Sequence, residues 1–186
     1  YRAEDFPRRW SEEAEAGLPA GLVDGTLFEH EGRWWLLGGL QGRGARQQLY
    51  AWYAATPLGP WTPHARNPLK CDPRSARPGG RPFHDASGAL IRPAQDCAAG
   101  YGRAVVLNRI TTLTPVAFAE EPAGRLEPDP AGPYPEGLHT LCAAGEWTVI
   151  DGKRSRWQPL KPLLRFWPRG TSGGPPASEG DNHERG

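Results

Sequence analysis

A chain of 186 residues is long enough for one domain with a real core, and its 22 Lys and Arg against 21 Asp and Glu leave a formal charge of +1. That balance removes the electrostatic case for nucleic acid or an anionic membrane as partner, and no run is long and apolar enough to span a bilayer. Three widely spaced cysteines, Cys71, Cys97 and Cys142, make neither a disulfide framework nor a metal-finger pattern, which leads to the expectation of reduced thiols in a cytoplasmic protein.

The basic residues are nearly all Arg, with Lys only at 70, 153 and 161. Arg suits bidentate contacts to carboxylate, phosphate or sugar hydroxyls, but heavy use of Arg, Ala, Gly and Pro also reads as a GC-rich, bacterial genome. The chain contains no Met, and its charged start, YRAEDFPRRW, has no signal-peptide pattern. The missing Met means that either the start was removed or the chain begins inside a longer reading frame.

In chain order, residues 1–22 read as a connecting segment, with a short acidic helix candidate over Trp10–Ala16. Strand-like apolar runs follow at Thr26–His30, Arg33–Gly38, Gln48–Ala55, Ala89–Arg92, Ala104–Asn108 and Trp147–Asp151, each bounded by turn residues. From Gly170 the chain reads as a solvated, disordered tail over 170–186, with nothing apolar to bury. No stretch holds a helical period for three turns, so the class is all-β.

The runs repeat. TLFEHEGRWWLL, RPFHDASGALIRP and TLCAAGEWTVID share a strand, a polar turn ending in Gly, and a second strand. Their turn glycines, Gly32, Gly88 and Gly145, are 56 and 57 residues apart. Each unit has room for two more strands, as in QQLYAWYAATPLGPW and YGRAVVLNRITTLTP. A four-stranded antiparallel sheet at this period is a propeller blade, so residues 23–169 are expected to form about three blades. Three blades do not close a ring, and blades N-terminal to residue 1 are expected to be missing. Three coincidental hairpins in a β-sandwich are the alternative.

In a propeller the innermost strand of each blade lines a central channel, and the residues at its entrance form the binding funnel. Here those residues lie just upstream of the turn glycines: Asp24, Arg74 and Arg77, and His139. Arg92, Gln95 and Asp96 of LIRPAQD, with Tyr101, form a second polar cluster whose donors and acceptors suit a polyol. Each has a structural reading as well. Asp24 before Gly25 suits an Asx turn, the arginines suit pairing with Asp72 or Asp96, and a His in a turn is more often structural. Most of the eight tryptophans read as blade packing, whereas Trp61, in a turn, suits stacking on a sugar ring.

From Val23 to Asp151 the chain resembles the five-bladed propeller superfamily of arabinanases, levansucrases and invertases, which includes the family-43 glycosidases. VDGTLFEHEGRWWLL resembles the start of their blades, and LYAWYAATPLGPWTPH their strand and Pro-Leu-Gly-Pro-Trp turn. More specifically, HARNPLKCDPRSARPGGRPF and GALIRPAQDCAAGYGRAVVLNRITTLTP are similar to the propeller domain found N-terminal in glucosamine inositolphosphorylceramide transferases. That domain also occurs in bacterial proteins beside formyltransferase-like domains. The resemblance covers roughly two-thirds of the chain and implies a partial five-bladed propeller. In the glycosidases three acids from successive blades form the active site. Here Asp24 matches one, with Arg77 and His139 at the next two entrances, so Asp24 and Asp96 are the catalytic candidates. In some relatives a His of the last blade holds a channel metal such as calcium. His139 is the candidate for that place.

Two functions follow as expectations. One is a carbohydrate-binding or glycan-orienting module serving a glycosyl- or formyl-transfer domain, covalently linked or not, with a glycan or sugar-containing small molecule as ligand and no cofactor. The other is a glycoside hydrolase or glycosyltransferase-type enzyme. Glycosidases need two carboxyl groups about 5 to 10 Å apart. The Arg-rich surroundings of Asp72 and Asp96 make either a poor proton donor, which favours the module.

Overall fold

In the computed structural model the residues described are 1–12, 17–42, 44 and 47–155. Among them there is no helix. Trp10 and Ser11, in the expected helix, instead belong to a short hairpin of β1 (Arg2–Asp5) and β2 (Arg9–Ser11); residues 13–16 and the expected tail lie outside the described residues.

The first blade is an antiparallel meander of β3 (Leu22–His30), β4 (Arg33–Leu40), β5 (Gln48–Ala54) and β6 (Thr62–Pro63). A further short strand, β7 (Lys70–Cys71), pairs with the start of β5. Between β6 and β7 the Asn67 side chain substitutes for backbone: its Oδ1 accepts from Ala51 N at 2.9 Å and its Nδ2 donates to Ala51 O at 2.7 Å. The second blade is β8 (Phe83–His84), β9 (Leu90–Asp96), β10 (Ala104–Leu113) and β11 (Phe118–Leu126), in that order. The third sheet is the hairpin of β12 (Leu141–Ala144) and β13 (Trp147–Ile150). The three repeat hairpins thus lie in three separate sheets, each led by its inner strand, as a propeller requires. The third blade contributes two strands among the described residues, not the expected four.

The turn glycines serve one backbone purpose. Gly32, Gly88 and Gly145 have φ of 69°, 82° and 59°, where a side chain is strained. At Glu31-Gly32 both turn residues have positive φ, the pattern of a type I′ turn, whose twist matches the flanking strands.

The core lies between the two complete blades. Phe28, Trp35, Leu37, Leu49 and Ala51 of the first pack with Leu90, Ile110 and Leu113 of the second, and with Ala76 of the connecting segment. β4 and β5 are largely buried and read as mostly apolar runs, whereas β9 is buried along its whole length yet carries Arg92, Gln95 and Asp96. β11, an exposed edge strand, carries charge and Pro instead, which is why no apolar run marks it.

Set in this interface is a buried ion cluster. The Arg92 side chain is 1 % exposed; its Nε and Nη2 donate to Glu120 at 2.8 and 2.7 Å, and Nη2 also donates to Ser75 O at 2.7 Å. Lys70 Nζ completes the cluster at 2.6 Å from Glu120. Burial pushes the Glu120 carboxyl upward, but the charge and hydrogen bonds of Arg92, with those of Lys70, outweigh it and hold the group below its ordinary value of 4.5. A lowered folded-state value means stabilisation that is present above the ordinary glutamate range and is lost as pH falls through the folded value. Glu120→Gln leaves Arg92 buried without its counter-charge and should cost about 3–5 kcal/mol in urea unfolding. The variant should also lose this part of the parent's decline in stability with acid.

Candidate functional site

The site begins with a bulge. The β3–β4 register slips between Val23 and Thr26, and Asp24 takes a left-handed φ of 52°. Asp tolerates that region better than most residues, and a bulge re-aims its side chain. The Asp24 carboxylate meets Arg77 Nε in an ion pair, with the Arg77 side chain 13 % exposed. The Asx-turn alternative read from Asp24-Gly25 is therefore not the side chain's role. It is the Asp24 carbonyl that accepts locally, from the Thr26 hydroxyl at 3.2 Å.

Arg77 comes from the segment that precedes β8 and runs beside β9. Gln95 N donates to Arg77 O at 2.8 Å, Gly79 N to Pro93 O at 3.0 Å, and Pro78 bridges Ala94. Across that ladder Gln95 Nε2 donates to Pro78 O at 2.7 Å and reaches Asp24 at 3.5 Å. The Arg77 guanidinium lies 5.0 Å from the centre of the Tyr101 ring, and Tyr101 in turn lies 5.4 Å from the His139 ring. The third hairpin is locked to the second blade at this place. Leu141 N donates to Gly79 O at 2.7 Å, and a Cβ on Gly80 would collide with the Leu141 carbonyl. Three sheets thus contribute Asp24, Arg77 with Gln95 and Tyr101, and His139 to one connected row. Beside it opens a cleft of about 350 Å³ lined by Tyr101, His139, Asp151, Lys153 and Arg154, among others.

Four of the residues expected at the site do not join this row. Arg92 is a substrate-binding candidate in the sequence, but it is buried in the ion cluster between the blades, where a ligand has no access. Asp96 alternates with Gln95 along β9 and so leaves by the opposite face, where Arg125 Nη1 donates to it at 2.7 Å. Arg74 is exposed; its backbone N–H, not its guanidinium, holds the Asp72 carboxylate, at 2.9 Å. Burial pushes that carboxyl upward, yet the bonds from Arg74 N–H and the Ser75 hydroxyl, with nearby Lys70 and Arg74 charge, hold it below its ordinary value. Trp61 is half-buried beside β6, the outermost strand of its blade, and not at the row.

Asp151 is the site residue that sequence reasoning missed. Its Oδ1 accepts from the backbone N–H groups of His139 and Thr140 at 2.9 and 2.8 Å, and its Oδ2 meets His139 Nδ1. The signal was available: six residues after the turn glycine, where the other units have Gly38 and Ala94, this unit has an acid. The channel metal expected at His139 does not fit these residues. Calcium takes six to eight oxygen ligands, and among the described residues no group of three or more His, Cys, Asp or Glu is placed to hold an ion. Among the described residues no helix is long and apolar enough to cross a membrane.

Two complete four-stranded antiparallel sheets at a blade-length period, with a third hairpin in phase and a polar row where the three meet, define a β-propeller-type chain. The chain belongs to the family described as glucosamine inositolphosphorylceramide transferase 1, N-terminal, whose profile matches residues 1–126. It is similar to glucosamine inositolphosphorylceramide transferase 1 of Arabidopsis thaliana, 42 % identical over 126 residues, which is 64 % of this chain and 16 % of that protein. It is similar also to the protein of the same name from Oryza sativa subsp. japonica, 39 % identical over 127 residues, 66 % of this chain and 17 % of that one. The chain therefore spans well under a fifth of the length of these relatives. The match ends with β11, so His139 and Asp151 lie outside it. Both relatives are plant proteins, which overturns the bacterial source expected from residue usage: base composition drives Arg, Ala, Gly and Pro content in any lineage. Among solved structures, a thermostable family-43 glycoside hydrolase overlaps 60 % of this chain and 38 % of its own, with 18 % identity and a TM-score of 0.40. The GH43B protein of a Bacteroides ovatus xyloglucan PUL overlaps 69 % and 23 %, with 22 % identity and a TM-score of 0.41. Overlaps this partial assign nothing to the chain.

The Asp24–Arg77 pair joins the first blade to the segment ahead of the second, and its weight is measurable. A double-mutant cycle of Asp24→Asn and Arg77→Gln, followed by urea unfolding, should give a coupling energy of about 1–2 kcal/mol, above the range of exposed pairs.

Proposed function

We propose that this chain is a carbohydrate-binding, glycan-orienting propeller module that presents a sugar to a glycosyl- or formyl-transfer domain. The observation that carries the reading is the row Arg77–Tyr101–His139 beside the 350 Å³ cleft, flanked by Asp24 and Gln95. A sugar offers an apolar ring face and a rim of hydroxyls that both donate and accept. The row offers a partly exposed aromatic ring, a guanidinium, an imidazole and an amide within one ligand's reach. The names of the plant relatives, which are glycosyl-transfer names, support a partner domain of that chemistry.

A glycosidase would need two carboxyl groups facing one bond. The two candidates are not so arranged: Asp24 is engaged by Arg77, and Asp96 leaves the far face of β9 toward Arg125. This geometry favours the module over the hydrolase.

Calorimetric titration of the chain against glucosamine, N-acetylglucosamine, inositol and neutral oligosaccharides tests the reading. At least one sugar should bind, and Tyr101→Ala should weaken it by about two- to tenfold, as the loss of an aromatic contact of about 0.5–1.5 kcal/mol requires. Arg77→Ala should weaken it by about tenfold or more, through a lost charge-assisted bond of about 1.5–3 kcal/mol. Because Arg77 is paired with Asp24 and mostly buried, this variant should also lower the melting temperature, and by more than Tyr101→Ala does. Binding by the parent that both variants retain unchanged would remove the row from the site.

A further inference from the structure

The acid that the family match does not reach is the most heavily engaged group at the cleft. The Asp151 carboxylate accepts from two backbone N–H groups, those of His139 at 2.9 Å and Thr140 at 2.8 Å, and its other oxygen meets the His139 ring at Nδ1. It therefore grips the main chain and the side chain of one residue together, which fixes the imidazole relative to its own backbone. Asp151 is itself held, since its N–H donates to Thr140 O at 3.3 Å, and Lys153 N donates to Gly137 O at 2.9 Å just beyond. The Tyr101 ring packs on the imidazole from the second blade, and a Cβ on Gly102 would sit 2.6 Å from that of His139. The imidazole lines the cleft, and Nε2 is the ring nitrogen that no described residue engages.

We propose that Asp151 is a positioning and specificity-determining residue: it keeps the His139 proton on Nδ1, so that Nε2 faces the cleft as a lone-pair acceptor that reads a ligand hydroxyl. The proposal rests on the carbohydrate-binding reading for its ligand, but its tautomer does not. The second oxygen of a carboxylate is what makes the arrangement work. An amide has one oxygen, and two backbone N–H groups already claim that side. In Asp151→Asn the amide oxygen stays with those two donors and its NH2 turns to Nδ1. Nδ1 must then accept, and the ring proton moves to Nε2. The substitution converts the cleft-facing nitrogen from acceptor to donor while leaving its shape almost unchanged. A sugar hydroxyl satisfies either form, but an O-methyl ether satisfies only the donor. The parent therefore discriminates hydroxyl from ether at this position, and the variant does not.

Two measurements test this on the intact chain. The first uses no ligand: nitrogen-15 NMR of the imidazoles in mildly alkaline solution, with His139 assigned by its loss in His139→Asn. The expected result is the Nδ1–H tautomer in the parent and Nε2–H in Asp151→Asn. A parent ring with its proton on Nε2 overturns the proposal even if the variant fails to fold. The second titrates parent and variant with whichever sugar of the panel binds, and with its singly O-methylated derivatives. At one hydroxyl the parent should lose tenfold or more on methylation, and Asp151→Asn should lose less than threefold. Equal losses in both proteins overturn the specificity role. If the tautomers are as stated and no sugar binds the parent, the proposed function fails, and with it the hydroxyl-reading role, while the hold of Asp151 on the ring stands.

Discussion

Arg92 is buried among apolar side chains, where an unpaired guanidinium would be prohibitive, and Glu120 with Lys70 answers that cost. The geometry that satisfies it has consequences well beyond the pair. Its remaining N–H groups reach the carbonyls of Ser75 and, at 3.4 Å, Ala76, which belong to the segment linking the first blade to the second. That segment is the one that carries Arg77. The ion cluster thus clamps the connection at one point and leaves the next residue but one pointing into the site. Glu120 lies on β11, Arg92 on β9 and Lys70 on β7, so the cluster spans the second blade and the outer edge of the first. A hydrophobic substitute of the same volume would fill the space but would not hold the connecting segment by its carbonyls.

The same connecting segment explains why three sheets meet at one row. Gly79 and Gly80 let the backbone approach β9 on one side and β12 on the other, closer than any side chain allows. Asp24 arrives from the first blade by a bulge, Arg77 and Gln95 from the inner ladder of the second, and His139 from the entrance to the third. Most of the polar groups at the row are already engaged with each other.

Much of this architecture was legible in the amino-acid sequence. The turn glycines, the β-branched and aromatic runs between them, and the constant spacing are local properties, and they identified three hairpins in three sheets. Asp24, Arg77 and His139 lie upstream of their turn glycines and do meet in one row, but the same reading placed Arg74 and Asp96 with them, and those two lie elsewhere, so position in the repeat did not by itself select the members of the row. The edge strand β11 did not, because an exposed edge is kept polar to discourage pairing and so carries no apolar run. The N-terminal hairpin was equally silent: Arg2–Asp5 and Arg9–Ser11 are charged and exposed, and only their mutual pairing makes them strands.

What the sequence by itself determined is the period, the turns and the face on which each inner-strand residue emerges, since these depend on φ and on alternation within a few residues. What only the tertiary structure decided is which charged groups face one another. Arg92 and Arg77 look alike in sequence, each an Arg before Pro. One finds a buried glutamate 28 positions along the chain and becomes part of the core, and the other finds a bulged aspartate in the neighbouring blade and becomes part of the row. Asp96 and Asp151 are likewise both acids at strand ends, but one meets Arg125 across its own sheet and the other meets His139 at the entrance to the third hairpin. A charge's role depends on its partner, and partners far apart in sequence are brought together only by the packing of blade against blade.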